Sequence, residues 1–244
     1  GRREFRKFVE PAIKRYSGIE VLGWIPRVEE AQKAAFIEAA RASFPPFDIL
    51  EMGADGQITE ASGRREYFPV LYVQPYKNNR ELLGMDMGVN PLFFPLLRQA
   101  ALSGEVQVVE RVTTQAGSNG ESVFVVAVPV YYKTDQQGFD ESSDMEAVVT
   151  DQLRGFAFGI FSIGETVELA LRSLSAAGIN IRFYRESAGN RELLYQHNSR
   201  VLPPSVSGIT GADDDRMDFQ QQMIIGNQHW EVEGTAVPGR FETD

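Results

Sequence analysis

The 244-residue chain sets 24 Lys+Arg against 34 Asp+Glu, a formal charge of −10 spread along its length, which opposes binding to nucleic-acid phosphates or anionic lipid. Its 43% hydrophobic content is enough for a packed core in one large domain or two of ordinary size. Without cysteine there are no disulfides, thiolate metal sites or thiol nucleophiles; no stretch approaches the roughly 18 uncharged apolar residues of a membrane helix, and no signal peptide is read.

At the N-terminus Phe5, Phe8, Val9, Ala12, Ile13 and Tyr16 recur at spacings of three and four, predicting one stripe of a helix that bends or restarts at Pro11. Ser17-Gly18 leads into IEVLGWIPRVEEAQKAAFIEAAR. Pro26 suits a helix start there, and Val28, Ala31, Ala35, Phe36, Ala39 and Ala40 give a stripe of mostly small residues down to Arg41. That stripe fits either a core-facing helix or a dimer seam. Ser43-Phe44-Pro45-Pro46 ends the helical part, Phe47 to Met52 reads as a strand, and Asp55-Gly56 is a turn signal.

The stretch Tyr67–Pro91 has the most to say about function. It opens with an apolar strand, Phe68 to Val73, breaks at Pro75, crosses the polar loop Lys77–Arg80 and sets Asp86 between Met85 and Met87. From Pro91 the run PLFFPLLRQAAL predicts a short apolar helix ending at Ser103-Gly104. VQVVERVTT from Val106 and SVFVVAVPVYY from Ser122 predict two long strands around a QAGSNGES turn. Strand, polar loop, helix and strands make a cup suited to a small molecule.

The acidic run Lys133–Asp151 reads as a linker, after which the pattern restarts: GFAFGIFSI as a strand, ETVELALRSLSAAG as a helix capped by Gly178, then NIRFYRES, RELLYQ, FQQQMIIG and WEVEGTAVP as strands, the last two joined at Asn227. The fold class expected is α+β, two units of similar layout in tandem whose sequences do not repeat. The domain division expected is 1–43, an N-terminal helical stalk; 44–133, a ligand-binding domain; and 134–244, a second domain.

Asp86 is the residue with chemistry to explain. A carboxylate among Leu82, Leu83, Met85 and Met87 is costly if buried unpaired, so it meets either backbone donors of its own turn or a donor on a ligand. His197 and His229 lack partners at metal-ligand spacing, and the triplet Asp213-Asp214-Asp215 lacks the alternating ligands of a calcium loop. Gly117, Gly120, Gly155 and Gly159 form no phosphate loop. Trp24 and Trp230 read as packing anchors, and Glu29-Glu30 as a solvent-side pair rather than a hydrolase dyad. No metal, cofactor or catalytic residue is expected.

The run GIEVLGWIPRV at Gly18–Val28, the FPVLYVQP strand, the GMDMG turn, the ALSGEV helix end and AVPVY at Ala127–Tyr131 resemble the CHASE domain, the extracellular sensor segment of membrane histidine kinases and nucleotide cyclases, diguanylate cyclases among them, including plant cytokinin receptors. The similarity runs from about Phe5 to Trp230 and is densest between Gly18 and Tyr131. It implies a long N-terminal helix, a membrane-distal PAS-like domain that takes the ligand and a membrane-proximal PAS-like one. It also implies transmembrane helices on either side of a periplasmic or extracellular segment, and a homodimer through the N-terminal helix in a two-component or cyclase pathway. The pocket aspartate of the cytokinin receptors falls on Asp86 and a backbone contact falls on Val108. Around these the expected wall is Val70, Tyr72, Leu83, Met85, Phe94, Val106, Val125 and Ala127. Ala127 stands where the plant receptors have threonine, and the turn carries Gly88 and lacks the plant serine, so the pocket is implied rather than cytokinin itself. An ionised carboxylate only accepts hydrogen bonds, which favours an amine-bearing or adenine-type ligand. The alternative is a ligand-free dimerisation or protein-interaction module whose cup is filled by Phe93 and Phe94.

Overall fold

The computed structural model describes residues 1–53, 55–112, 122–132, 152–172, 179–187, 190–199 and 219–236 of the chain. The QAGSNGES turn, the 133–151 linker, the Gly178 cap and the acidic triplet 213–215 lie outside the described residues. The architecture is α+β with antiparallel sheets, divided into two compact units: 1–15, 19–109 and 125–161 form one, and 16–18, 110–124 and 162–244 the other.

The first unit is built on a five-stranded sheet in the order β6-β1-β9-β8-β7, where β1 is Ile19–Pro26, β6 Tyr72–Gln74, β7 Gln107–Val112, β8 Ser122–Tyr131 and β9 Leu153–Ser162. In β1 every second residue from Val21 to Ile25 is buried, as a strand with one covered face requires. Leu22, Gly23 and Trp24 pair with Gly159, Phe158 and Ala157 of β9. Gly23 is needed by close approach: a Cβ there would lie 2.1 Å from the Phe158 ring. Phe158 in turn meets Phe93 edge-on at 5.7 Å, which seats helix α4, Phe93–Ser103, on the sheet.

Helix α4 forms where the sequence predicts it. Phe93, Leu96, Leu97, Ala100 and Ala101 are its buried stripe, with spacings of three and four. Asn90 closes its entry turn, its Oδ1 accepting from the N–H groups of Leu92 and Phe93 at 3.0 and 3.1 Å, and Pro91 occupies the first position of that turn, where no donor is lost. Gly104, with φ of 70°, ends it and donates its N–H to Ala100 O.

Among the described residues three helices precede α4, the last of them the single turn α3, Tyr76–Asn79. Helix α1, Arg2–Arg15, is 14 residues with Pro11 inside it, about 21 Å at 1.5 Å per residue, rather than a long stalk. It buries Val9 and stacks Phe5 on Tyr72 at 5.4 Å, so it packs on the first unit. Helix α2, Lys33–Arg41, begins seven residues after Pro26, the predicted start. Pro26 instead ends β1, and Val28-Glu29 (β2) pair with Glu66-Tyr67 (β5), so extended pairing holds the backbone before the helix can begin. Of the small-residue stripe Val28 and Ala40 are buried, within a cluster with Phe44, Phe47, Ile49, Ala61 and Tyr67. Between α2 and β5, β3 (Leu50–Met52) and β4 (Ile58–Glu60) form a hairpin around Gly56.

The division at 133/134 is not the one the structure draws. Strand β9, read from the sequence as the start of a second domain, runs beside β1 in the first sheet, while 110–124 group with the second unit. A run buried on nearly every residue, as Leu153–Ser162 is, belongs in a sheet centre, and which centre is fixed by long-range pairing that local pattern does not encode. The second unit holds helix α5, Ile163–Leu171, capped by the Ser162 hydroxyl accepting from the Glu165 N–H, and a four-stranded sheet in the order β11-β10-β13-β12. Its strands are β10 Ile179–Ser187, β11 Asn190–His197, β12 Phe219–Ile225 and β13 Gln228–Ala236, as the sequence predicts.

Candidate ligand site

The GMDMG turn is laced into the first unit through its backbone. The Asp86 N–H donates to Leu50 O at 2.7 Å, the Val70 N–H to Met85 O at 3.1 Å and the Met87 N–H to Phe68 O at 2.9 Å. Gly84, with φ of 80°, opens the turn; a Cβ there would stand 2.1 Å from Asp48 O. The Asp86 side chain, buried, is met on both oxygens. Oδ1 accepts from the N–H groups of Phe68 and Gly88, each at 2.9 Å, and Oδ2 faces Arg64 Nη2 at 3.1 Å. Arg64 also hydrogen-bonds Glu51. Burial works against the arginine's charge, but the Glu51 hydrogen bond and the charges of Asp86 and Glu51 outweigh it and raise its pKa. Of the two roles open to Asp86 in the sequence, the turn acid is the one its hydrogen bonds match.

Among the described residues, the ten expected to line a pocket stand in different surroundings. Val70, Val108, Val125 and Ala127 are packed into the core at 2% exposure or less. Tyr72 and Leu83 turn to the Phe44–Phe47 cluster against α2, where Tyr72 stacks on Phe5. Met85 bridges to Leu50, and Phe94 and Val106 are exposed. The reason is geometric: Tyr72 is on the edge strand with its ring against aromatic groups of the preceding helices, while Val106 precedes β7 and escapes the sheet.

A cavity of about 220 Å³ does open beneath α4, and Phe94 is part of its wall. Leu97, Ala101 and Leu102 of α4, Phe68, and Leu153 and Phe156 of β9 supply apolar surface; Arg27, Glu66 and Arg98 supply charge. Arg27 Nε donates to Glu66 at 2.6 Å, and the Phe68 and Phe156 rings lie 5.8 Å apart. Gly88 forms the wall nearest the aspartate: a Cβ there would come within 2.9 Å of the Phe68 ring and 3.0 Å of Asp86 Oδ1. The acid therefore fixes the height of one wall from behind. Apolar walls with a few convergent polar groups are the ordinary make-up of a small-molecule site.

Sequence reasoning misses most of this wall. Leu153 and Phe156 arrive from a strand that begins fifty positions after α4 ends, with no local signal. Arg98 has one: it is the single charge in FFPLLRQAALS.

Elsewhere, His197 Nδ1 is 2.5 Å from Glu168 on α5, which also accepts from the Tyr195 hydroxyl at 2.7 Å, a structural network in the second unit. His229 pairs with Ile224 across the sheet. Buried Glu231 and Glu233 both meet Arg191. Among the described residues no cluster of three or more His, Asp or Glu is arranged to hold a metal ion, and no helix is long and apolar enough to cross a membrane.

The model of one protein family, the CHASE domain, matches residues 1–195 of the chain. No curated protein matches it.

Proposed function

The chain belongs to the CHASE domain family, whose members are extracellular sensor domains of receptors, and we propose that it binds a small molecule in the first unit and reports occupancy to the rest of a membrane receptor. The observation that carries this reading is the cavity beneath α4, an apolar cup with charged groups at its edge. The first unit acts as the membrane-distal, PAS-like ligand domain and the second as the membrane-proximal one. The segment is periplasmic or extracellular, held by transmembrane helices of the whole receptor, with a histidine kinase or cyclase as output and α1 as the dimer contact. Asp86 holds the Gly88 wall in place. A ligand biases such a receptor only by its differential affinity for two arrangements, and a tenfold preference supplies about 1.4 kcal/mol.

A ligand-free interaction module is the second reading, favoured by the tight packing of Val70, Val108, Val125 and Ala127 where the family's ligand residues fall. A thermal-shift panel of adenine derivatives, amines, amino acids and carboxylates separates the two. A ligand at about 100 times its dissociation constant adds roughly 2.7 kcal/mol of stability. A raised midpoint with one of these classes supports the sensor; a midpoint unmoved across the panel supports the module.

A further inference from the structure

We propose that the cavity beneath α4 selects a small amphipathic monoanion, an apolar body carrying one carboxylate, with Arg98 as the residue that reads the charge. The inference rests on the reading of that cavity as the ligand site. It starts from where the single charge of α4 is placed. Phe94, Arg98 and Leu102 follow one another at spacings of four and all three line the cavity, so Arg98 stands at its mouth between two apolar residues.

The charge balance at the cavity then has a sign. Arg27 and Glu66 are hydrogen-bonded to each other at 2.6 Å, which neutralises that pair. Arg98 is left as the net positive charge among the groups that line the cavity. Phe94 and Leu102 are exposed at 50% and 37%, so the mouth presents apolar surface to water on either side of that cation. A carboxylate attached to an aromatic or short aliphatic body satisfies both features at once: the guanidinium fork takes the two oxygens and the body covers the apolar rim. The volume, about 220 Å³, is below the roughly 300–1,000 Å³ of sites for drug-sized ligands, so the body is small. Asp86 does not oppose this choice, because its carboxylate is already matched by Arg64 and two backbone N–H groups.

The test is calorimetric titration of the whole 244-residue chain with phenylacetate and hexanoate, against phenylacetamide, hexanamide, benzylamine and hexylamine, repeated on Arg98→Ala, Arg98→Lys and Phe94→Ala. Both positions are exposed, so the variants keep the parent fold, which an unchanged circular dichroism spectrum verifies. The expected result is binding of the carboxylates alone, weakened about tenfold or more in Arg98→Ala, partly restored in Arg98→Lys and weakened in Phe94→Ala. Amides or amines that bind and weaken in Phe94→Ala but not in Arg98→Ala would overturn the anion selectivity while leaving the cavity as the site. Carboxylate binding indifferent to all three variants would place the anion elsewhere and overturn the inference. No binding by any probe would overturn the inference, and the reading on which it rests would then be decided by the adenine and amino-acid arms of the thermal-shift panel.

Discussion

Asp86 shows what a buried charge demands of its surroundings. Its two oxygens meet two backbone N–H groups and one guanidinium, so removing it leaves two backbone donors unmet and Arg64 held by Glu51 alone. Asp86→Ala is expected to lower unfolding free energy by about 3–5 kcal/mol, read from urea denaturation, with Asp86→Asn less costly because its amide oxygen still accepts from the backbone. An Asp86→Ala protein as stable as the parent would refute this account of the turn. The acid itself was legible in the sequence, as a carboxylate among apolar residues that must be paired. Its partner was not, since Arg64 lies 22 positions earlier in a segment that reads only as polar loop.

A second residue-scale consequence concerns pH. Burial, reinforced by Glu30, raises the pKa of Tyr67, whose ring is fully inside the first unit. A raised phenol pKa means the folded state holds its proton more tightly than the unfolded one. The stability it contributes is complete below pH about 10 and is lost as pH climbs through the folded value. The urea midpoint should therefore fall above pH about 10, and Tyr67→Phe should fall less steeply over the same range.

Elements separate what is local from what is not. Helix α4 was legible because its buried stripe, its entry at Pro91 and its stop at Gly104 all sit within fifteen residues, and each is a local rule. Asn90→Ala tests the entry: losing an acceptor for two N–H groups should cost about 1 kcal/mol, measured as a lowered melting temperature. No change would mean the helix is held by packing alone. Strand β1 shows the opposite case. The run IEVLGWIP carries no apolar–polar alternation and Pro26 suits a helix start, so only pairing with β6 and β9 makes it a strand. The fate of β9 was still less accessible, since its central place depends on β1, more than a hundred positions away.

For the whole molecule, the family accounts for the class of protein and the structure for the cavity beneath α4 that we propose as the ligand site. The pocket wall expected by resemblance is mostly core, and the open cup lies one layer away, under α4, with the Asp86 turn behind it. Both descriptions use the strand and turn within Tyr67–Pro91 and the helix that follows. What the stretch alone could not supply was its other wall, Leu153 and Phe156, and the volume they leave.

The most direct measurement is an NMR titration of the leucine-methyl-labelled chain with the compound that raises its melting temperature most. The account predicts that the methyl signals of Leu97, Leu102 and Leu153 shift first and saturate together, while those of Leu193 and Leu194 in the second unit stay put. Saturating shifts at Leu193 and Leu194 with the three cavity leucines unmoved would contradict it, and would move the sensor site out of the first unit.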